Sequence, residues 1–246
     1  PLTVYPLNVL LALLMIVGAT SFLFHYRLSR GWIRQAMTPE VLAFPAIILL
    51  GGLSLMALEP LDISTAIFHA VSASTTTGYG WLDLSGFKDP AKLVLVPFMF
   101  VGGASFSTAS GIKLLRLLLI LKAIPWAARR ATSGVTEPLT LGRREVSGPE
   151  VAFQLLVVIV AASVILAAAF LFALAGYPFV DSLFEVTSAY SNVGLSVGLA
   201  AGLPLGMKWL LSLVMVLGRV ETIPVFVVLF GRWGPKGAEP SENLQA

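Results

Sequence analysis

The chain has 246 residues, 57% of them hydrophobic and 12% charged, with a formal net charge of +3. A soluble domain carries roughly 25% charged residues, so this composition belongs in a bilayer. The chain has no cysteine, which excludes disulfides and thiolate chemistry, and two histidines, His25 and His69, argue against a His-built metal cluster. Its basic residues sit at segment ends and are not gathered on one face, so no nucleic-acid partner is expected.

The chain opens with Pro1 and enters an apolar run at once, without a basic n-region or a small-residue cleavage pattern. No signal peptide is read there, and an incomplete N-terminus is expected. Leu7–Phe24 is long enough for a first spanning helix, which needs about 20 apolar residues. It ends in HYRLSRGWIRQ, with Arg27, Arg30 and Arg34. Val41–Leu58 is a second span. Next comes Phe68–Gly80, FHAVSASTTTGYG, preceded by a helix-compatible start at Ile63. Lys92 opens a long apolar run to Ile124, interrupted by GGASFSTASG at 102–111. Trp126–Glu150 is a polar loop with Arg129, Arg130, Arg143 and Arg144. Val151–Ala175 and Lys208–Phe230 are further spans, and a polar tail follows Arg232 and Lys236.

Basic loops face the cytoplasm. One threading puts all three basic clusters there: first span inward, second outward, Phe68–Gly80 dipping in from outside and returning, then inward, outward and inward. The outer face would then hold Glu59, Asp62, Asp83, Asp89 and Asp181 against Lys88, Lys92 and Lys208. Such a mouth would either concentrate cations or hold ordinary solvated charges.

TTTGYG alone reads equally well as a loop turn. A second copy changes its weight: Phe184–Ser196, FEVTSAYSNVGLS, aligns Phe184, Ser188, Ala189 and Gly194 with Phe68, Ser72, Ala73 and Gly78 at one constant offset. Internal repetition in a membrane chain points to a pathway at the repeat interface. Extended backbone at membrane depth is tolerated where it lines a water-filled path, and its carbonyls can replace the hydration shell of a cation. The fold expected is all-α integral membrane protein, with repeated membrane helix–pore loop–membrane helix units of a potassium-channel-like pore.

TTTGYG at 75–80, GGASFSTASGIK at 102–113, SNVGLS at 191–196 and GRVE at 218–221 occur in this order. Together they resemble the Trk/Ktr/HKT superfamily of potassium transporters, most closely its TrkH-like membrane subunit, over residues 1–235. The resemblance implies a pore ringed by four unequal repeats, of which this chain carries the third and fourth. Residues 1–36 would close a preceding repeat. Residues 37–125 would form a third-type repeat, with a pore loop at 63–80 and an intramembrane loop at 102–112. Residues 126–150 would be a cytoplasmic loop, residues 151–235 a fourth-type repeat with a pore loop at 181–197, and residues 236–246 the tail.

The resemblance makes Thr76, Thr77, Gly78 and Tyr79 one quarter of a cation-binding filter and Asn192, Val193, Gly194 and Leu195 another. Potassium (K+) would be the transported ion and the metal bound there. Because the second copy departs from TxGYG, only moderate discrimination against sodium is expected. The loop at 102–112, with Gly102, Gly103, Ser105, Phe106, Ser107, Gly111 and Lys113, would be a gate below the filter, and Phe106 could itself plug the path. A small-residue helix-packing face is the simpler reading of the same residues. Phe106 and Ser110 replace glycines usual in the family. Lys113 closes the motif and could equally snorkel to the headgroups.

Arg219 lies about 16 Å beyond Lys208 along a straight helix, near mid-membrane. A charge there needs a partner. Backbone carbonyls or an acid of the second pore stretch, such as Glu185, are expected, making Arg219 a pore barrier or a brace. Glu221 is too close along the helix to serve. His69 reads as a packed histidine.

No catalytic residues and no cofactor in the chain are expected, since an intramembrane enzyme would need a nucleophile, base or metal cluster. The resemblance implies potassium uptake across the bacterial inner membrane, a homodimer in lipid, and a cytoplasmic TrkA- or KtrA-like nucleotide-binding ring. Any nucleotide would act only through that partner subunit. A tetrameric potassium channel subunit and a non-conducting half of a pore, needing a separate N-terminal half, remain alternatives.

Overall fold

A computed structural model describes residues 5–133, 138–142 and 144–220. The chain is built from α1 (Tyr5–Ala19), α2 (Phe22–Ser29), α3 (Ile33–Ala36), α4 (Pro39–Leu58), α5 (Ile63–Ser74), α6 (Asp89–Val101), α7 (Leu114–Ser133), α8 (Gly148–Leu174), α9 (Phe179–Tyr190) and α10 (Leu205–Val220). A two-stranded antiparallel hairpin, β1 (Leu139–Leu141) and β2 (Arg144–Val146), lies between α7 and α8, with Leu139 opposite Val146. Arg143, Glu221, Arg232, Lys236, the end of the last expected span and the tail lie outside the described residues.

The helices fall into two units of one plan: a long helix, a short buried helix ending in extended chain, and a closing helix. In the first unit these are α4, α5 with residues 75–80, and α6. In the second they are α8, α9 with residues 191–197, and α10. Among the described residues α4 and α8 are each long and apolar enough to cross a membrane, with mean hydropathies of 2.4 and 3.0. Their outer faces expose Leu42, Leu49, Leu53, Ile159, Leu166 and Phe170, as lipid-facing helices do. The repeated units and these apolar outer faces are those of a membrane protein.

Three apolar clusters hold the units together. Met15, Phe44, Phe68 and Leu114 join α1, α4, α5 and α7. Leu55, Leu95, Met99 and Phe184 join the first unit to α9. Phe172, Val186, Tyr190 and Val214 join α8, α9 and α10. Lys92 on α6 and Asp181 in the first turn of α9 form an ion pair of 2.7 Å across the same junction.

Several expectations are corrected. Leu7–Phe24 is not one straight span, because α1 and α2 meet at 96°. Ser21 causes the break: its hydroxyl accepts from Leu23 N at 3.2 Å and starts a new helix. Trp126–Glu150 is not all loop. Helix α7 continues to Ser133 through the alanines and arginines, which are good helix formers, and the hairpin follows. Asp181 and Lys92 do not stand in the outer mouth as solvated charges. They neutralise each other, with side-chain exposures of 25% and 6%.

Candidate functional site

The two short helices end alike. Thr75 N and Ser191 N donate to Val71 O and Thr187 O, and Thr77 N and Val193 N donate to Ser72 O and Ser188 O. Thr76 and Asn192 occupy equivalent positions and both have positive φ, 54° and 50°. Left-handed backbone is rare for such residues and is a genuine outlier for β-branched threonine. Strain of this kind persists only where surroundings over-determine it.

Here the determining contacts run to the loop after the closing helix in the first unit and to the closing helix itself in the second. Thr76 Oγ1 accepts from Ser110 N at 2.8 Å, in the loop that follows α6. Asn192 Nδ2 donates to Met215 O on α10 at 3.1 Å and to Tyr190 O at 3.2 Å. The two extended strands then meet. Gly78 has φ 77°, and a Cβ there would lie 2.0 Å from Val193 O and 3.0 Å from Gly194 Cα. Tyr79 is 56% exposed, whereas Val193 and Leu195 are buried.

The C-termini of α5 and α9 both run into these strands. A helix C-terminus carries about half a negative charge, so two of them favour a cation at the strands. Asp62 caps the start of α5, its Oδ2 accepting from Thr65 N at 3.0 Å. The Thr65 hydroxyl and then its backbone N–H hold the Asp62 carboxyl below the usual carboxylate range. Among the described residues no group of three or more His, Asp or Glu is placed to hold a metal ion.

Glu185, on α9, is 4% exposed. Its Oε1 accepts from Ser196 Oγ at 2.5 Å and Ala200 N at 2.9 Å, and its Oε2 from Val197 N at 3.3 Å. Glu185 thus holds the chain leaving the second strand and is not the partner of Arg219, which corrects that expectation. Its equivalent in the first unit is His69, fully buried, with Nδ1 at 2.9 Å from Thr65 O. In the sequence Glu185 stands out only as a possible acid for Arg219. Its equivalence to His69 was the available signal.

The loop between α6 and α7 closes on itself. Ile112 N and Lys113 N donate to Phe100 O and Val101 O, both at 2.9 Å. Its tip rests on the α1–α2 break, where the last carbonyls of α1 lack helical partners. Ala104 N donates to Ala19 O at 2.9 Å, Thr108 Oγ1 to Gly18 O at 2.8 Å, and Phe22 N to Phe106 O at 2.9 Å. Ser105 N donates to Glu40 Oε1 at 2.7 Å, and Glu40 is buried. Ser107 Oγ donates to Ala104 O at 2.6 Å. Gly102 and Gly111 have positive φ and form the neck, beside Gly103, which packs on Ala109 and Ala19. Phe106 is 74% exposed. Lys113 does not extend to the headgroups: its Nζ bonds Ala109 O within the loop.

Arg219 Nη1 donates to Ser110 Oγ at 2.8 Å. Ser110 therefore stands between Thr76 and Arg219, its amide donating to Thr76 Oγ1 and its hydroxyl accepting from Arg219. Gly218 lets α10 approach this closely, since a Cβ there would lie 1.7 Å from Tyr190 O.

Two helix–pore loop–helix units with glycines at the contact of their strands define a membrane transport protein. Residues 54–232 match the family described as TrkH, cation transport protein. The chain belongs to that family. It is 27% identical over 217 residues to the Ktr system potassium uptake protein B of Vibrio alginolyticus, covering 83% of this chain and 47% of that protein. It is 30% identical over 245 residues to the Trk system potassium uptake protein TrkI of Halomonas elongata, covering 89% and 48%. The crystal structure of the potassium transporter TrkH from Vibrio parahaemolyticus matches with a TM-score of 0.80 at 21% identity, over 92% of this chain and 52% of that one. The chain spans about half the length of the curated relatives it matches.

Proposed function

We propose that this chain supplies half of a potassium-conducting pore in the bacterial inner membrane, with its C-terminus cytoplasmic. Thr76, Thr77, Gly78 and Tyr79, with Asn192, Val193, Gly194 and Leu195, form two quarters of the filter. Their carbonyls coordinate a dehydrated potassium ion. The observation that carries this reading is the contact of Gly78 with Val193 and Gly194, at the ends of two short helices whose negative poles run into it. Relatives named as potassium uptake proteins support potassium as the ion.

The loop at 102–112, with Gly102, Gly103, Ser105, Phe106, Ser107, Gly111 and Lys113, is the gate. Arg219 both braces it through Ser110 and places a positive charge that slows cations. A homodimer of membrane subunits and a cytoplasmic nucleotide-binding ring complete the system. The polar region from Trp126 to Glu150 is the surface on which that ring would act.

The test is rubidium uptake in a transport-deficient host. The chain alone should conduct poorly, and co-expression with a matching N-terminal half should restore uptake. Equal uptake with and without that half would contradict the half-pore reading. No uptake with it would contradict the transport assignment.

A further inference from the structure

We infer that the inner end of the first unit binds the phosphate of an anionic phospholipid headgroup through Arg27, Arg34 and Arg144, next to the loop-holding residue Glu40. This rests on the threading proposed above, which puts that end at the inner membrane surface.

A cavity of about 520 Å3 opens where α2, α3, the start of α4, α7 and the hairpin meet. Its walls carry Arg27, Arg34 and Arg144 from three separate elements, facing Thr38, Pro39 and Glu40 at the N-terminus of α4. Arg27 is fixed at the wall by donating from Nη1 to Gln35 O at 2.9 Å. A guanidinium has five N–H donors, so this bond leaves Arg27 others to offer. Arg34 is exposed and makes no hydrogen bond or ion pair among the described residues. Arg144 Nη2 bonds Glu150 Oε1 at 2.8 Å at the rim. The start of the 20-residue α4 adds its positive pole. Against these charges stand Glu150, taken by Arg144, and Glu40, whose Oε1 already accepts from Ser105 N. The cavity is therefore cationic, and guanidinium forks match phosphate geometry.

The surroundings favour a lipid over a free ion. Helix α2 leaves α1 at 96°, so it runs along the membrane plane when α1 stands across it. Phe22, Leu23, Tyr26, Trp32 and Ile33 are exposed around Arg27 and Arg34. A basic stretch with exposed aromatic and aliphatic side chains is the composition of a segment lying in the interface. Acyl chains against those residues would leave the headgroup at the cavity, and basic pockets at the cytoplasmic surface are suited to anionic headgroups. Because Glu40 both lines the cavity and holds Ser105, headgroup occupancy acts on the loop at 102–112 through one side chain.

The test counts lipids retained by the full transporter in native mass spectrometry, titrated with phosphatidylglycerol or phosphatidylcholine. Phosphatidylglycerol should be retained preferentially. Arg27→Gln and Arg34→Gln should each weaken that preference about fivefold. Arg34 bonds nothing among the described residues, so its variant keeps the fold and the test stays decisive. Equal retention of the two lipids, or a preference unchanged in both variants, overturns the site. Inorganic phosphate displacing phosphatidylglycerol completely at millimolar concentration would assign the cavity to a soluble phosphate and overturn the lipid. Rubidium flux should differ at least twofold between liposomes of the two lipids, and Glu40→Gln should abolish the difference. A difference that survives Glu40→Gln overturns the route through Glu40. Lipid counting does not depend on flux, so failure of the pore reading and failure of this site are separable.

Discussion

The amide of Ser110 donates to Thr76 Oγ1 at 2.8 Å, while the hydroxyl of Ser110 accepts from Arg219. One residue thus ties the first extended strand to the loop between α6 and α7 and to α10. Ser110→Gly keeps the amide bond and removes the one to Arg219. The loop should loosen, and rubidium flux should rise at least twofold with the potassium/sodium ratio unchanged. Thr76→Ala leaves the buried Ser110 amide unpaired, at a cost of about 1–3 kcal/mol, and should lower that ratio. Flux assays on both variants separate the two contacts.

Gly78 meets the second strand with backbone against backbone. Gly78→Ala should cost about 1–2 kcal/mol for left-handed backbone and a further 1–3 kcal/mol, roughly, for the overlap with Val193 O. Gly198 also has positive φ, 84°, but faces open space. Gly198→Ala should therefore show the backbone cost alone. Thermal unfolding of the two variants in detergent measures the difference.

Lys92 and Asp181 join the two units, and Lys92 is nearly enclosed. Asp181→Asn strands the ammonium and should destabilise the protein by about 3 kcal/mol, the low end for a broken buried pair, because Asp181 keeps some exposure. The double substitution Lys92→Met with Asp181→Leu should recover most of that loss. Denaturant midpoints of the two variants check it.

Asp62 provides a pH dependence of known sign. Its folded-state carboxyl is held below the ordinary value by Thr65. Its contribution is complete above the ordinary carboxylate pKa and is lost as pH falls through the lowered folded-state value. Asp62→Asn retains a good N-cap that does not titrate. Melting temperature should therefore fall less steeply with acid in the variant. Parallel slopes would contradict the role assigned to the carboxylate.

The two pore-loop units were legible because a short apolar helix followed by a small polar run and a glycine, TTTGYG in one and SNVGLS in the other, is a local pattern, and it occurs twice. Counting residues along a straight helix gives Arg219 its expected depth. It does not give the partner, because Ser110 lies in a loop far along the chain and an acid was the natural expectation. The 96° break was hidden by hydropathy, which stays apolar through Phe24. Thr20 and Ser21 were its signal, Ser21 being a good N-cap. The Lys92–Asp181 pair and the grip of Glu40 on Ser105 depend on how helices pack; charge pattern alone reads Lys92 and Asp181 as loop charges and gives Glu40 no role. The hairpin has only the brief alternation of Leu139, Thr140 and Leu141 as its signal, within a stretch whose charges read as a polar loop.

The central claim is that Gly78 and Gly194 belong to one filter. The most direct measurement is the potassium/sodium flux ratio in proteoliposomes of the assembled transporter and its Gly78→Ser and Gly194→Ser variants. Flux should persist and the ratio should fall in both variants. A ratio unchanged by either substitution would contradict it.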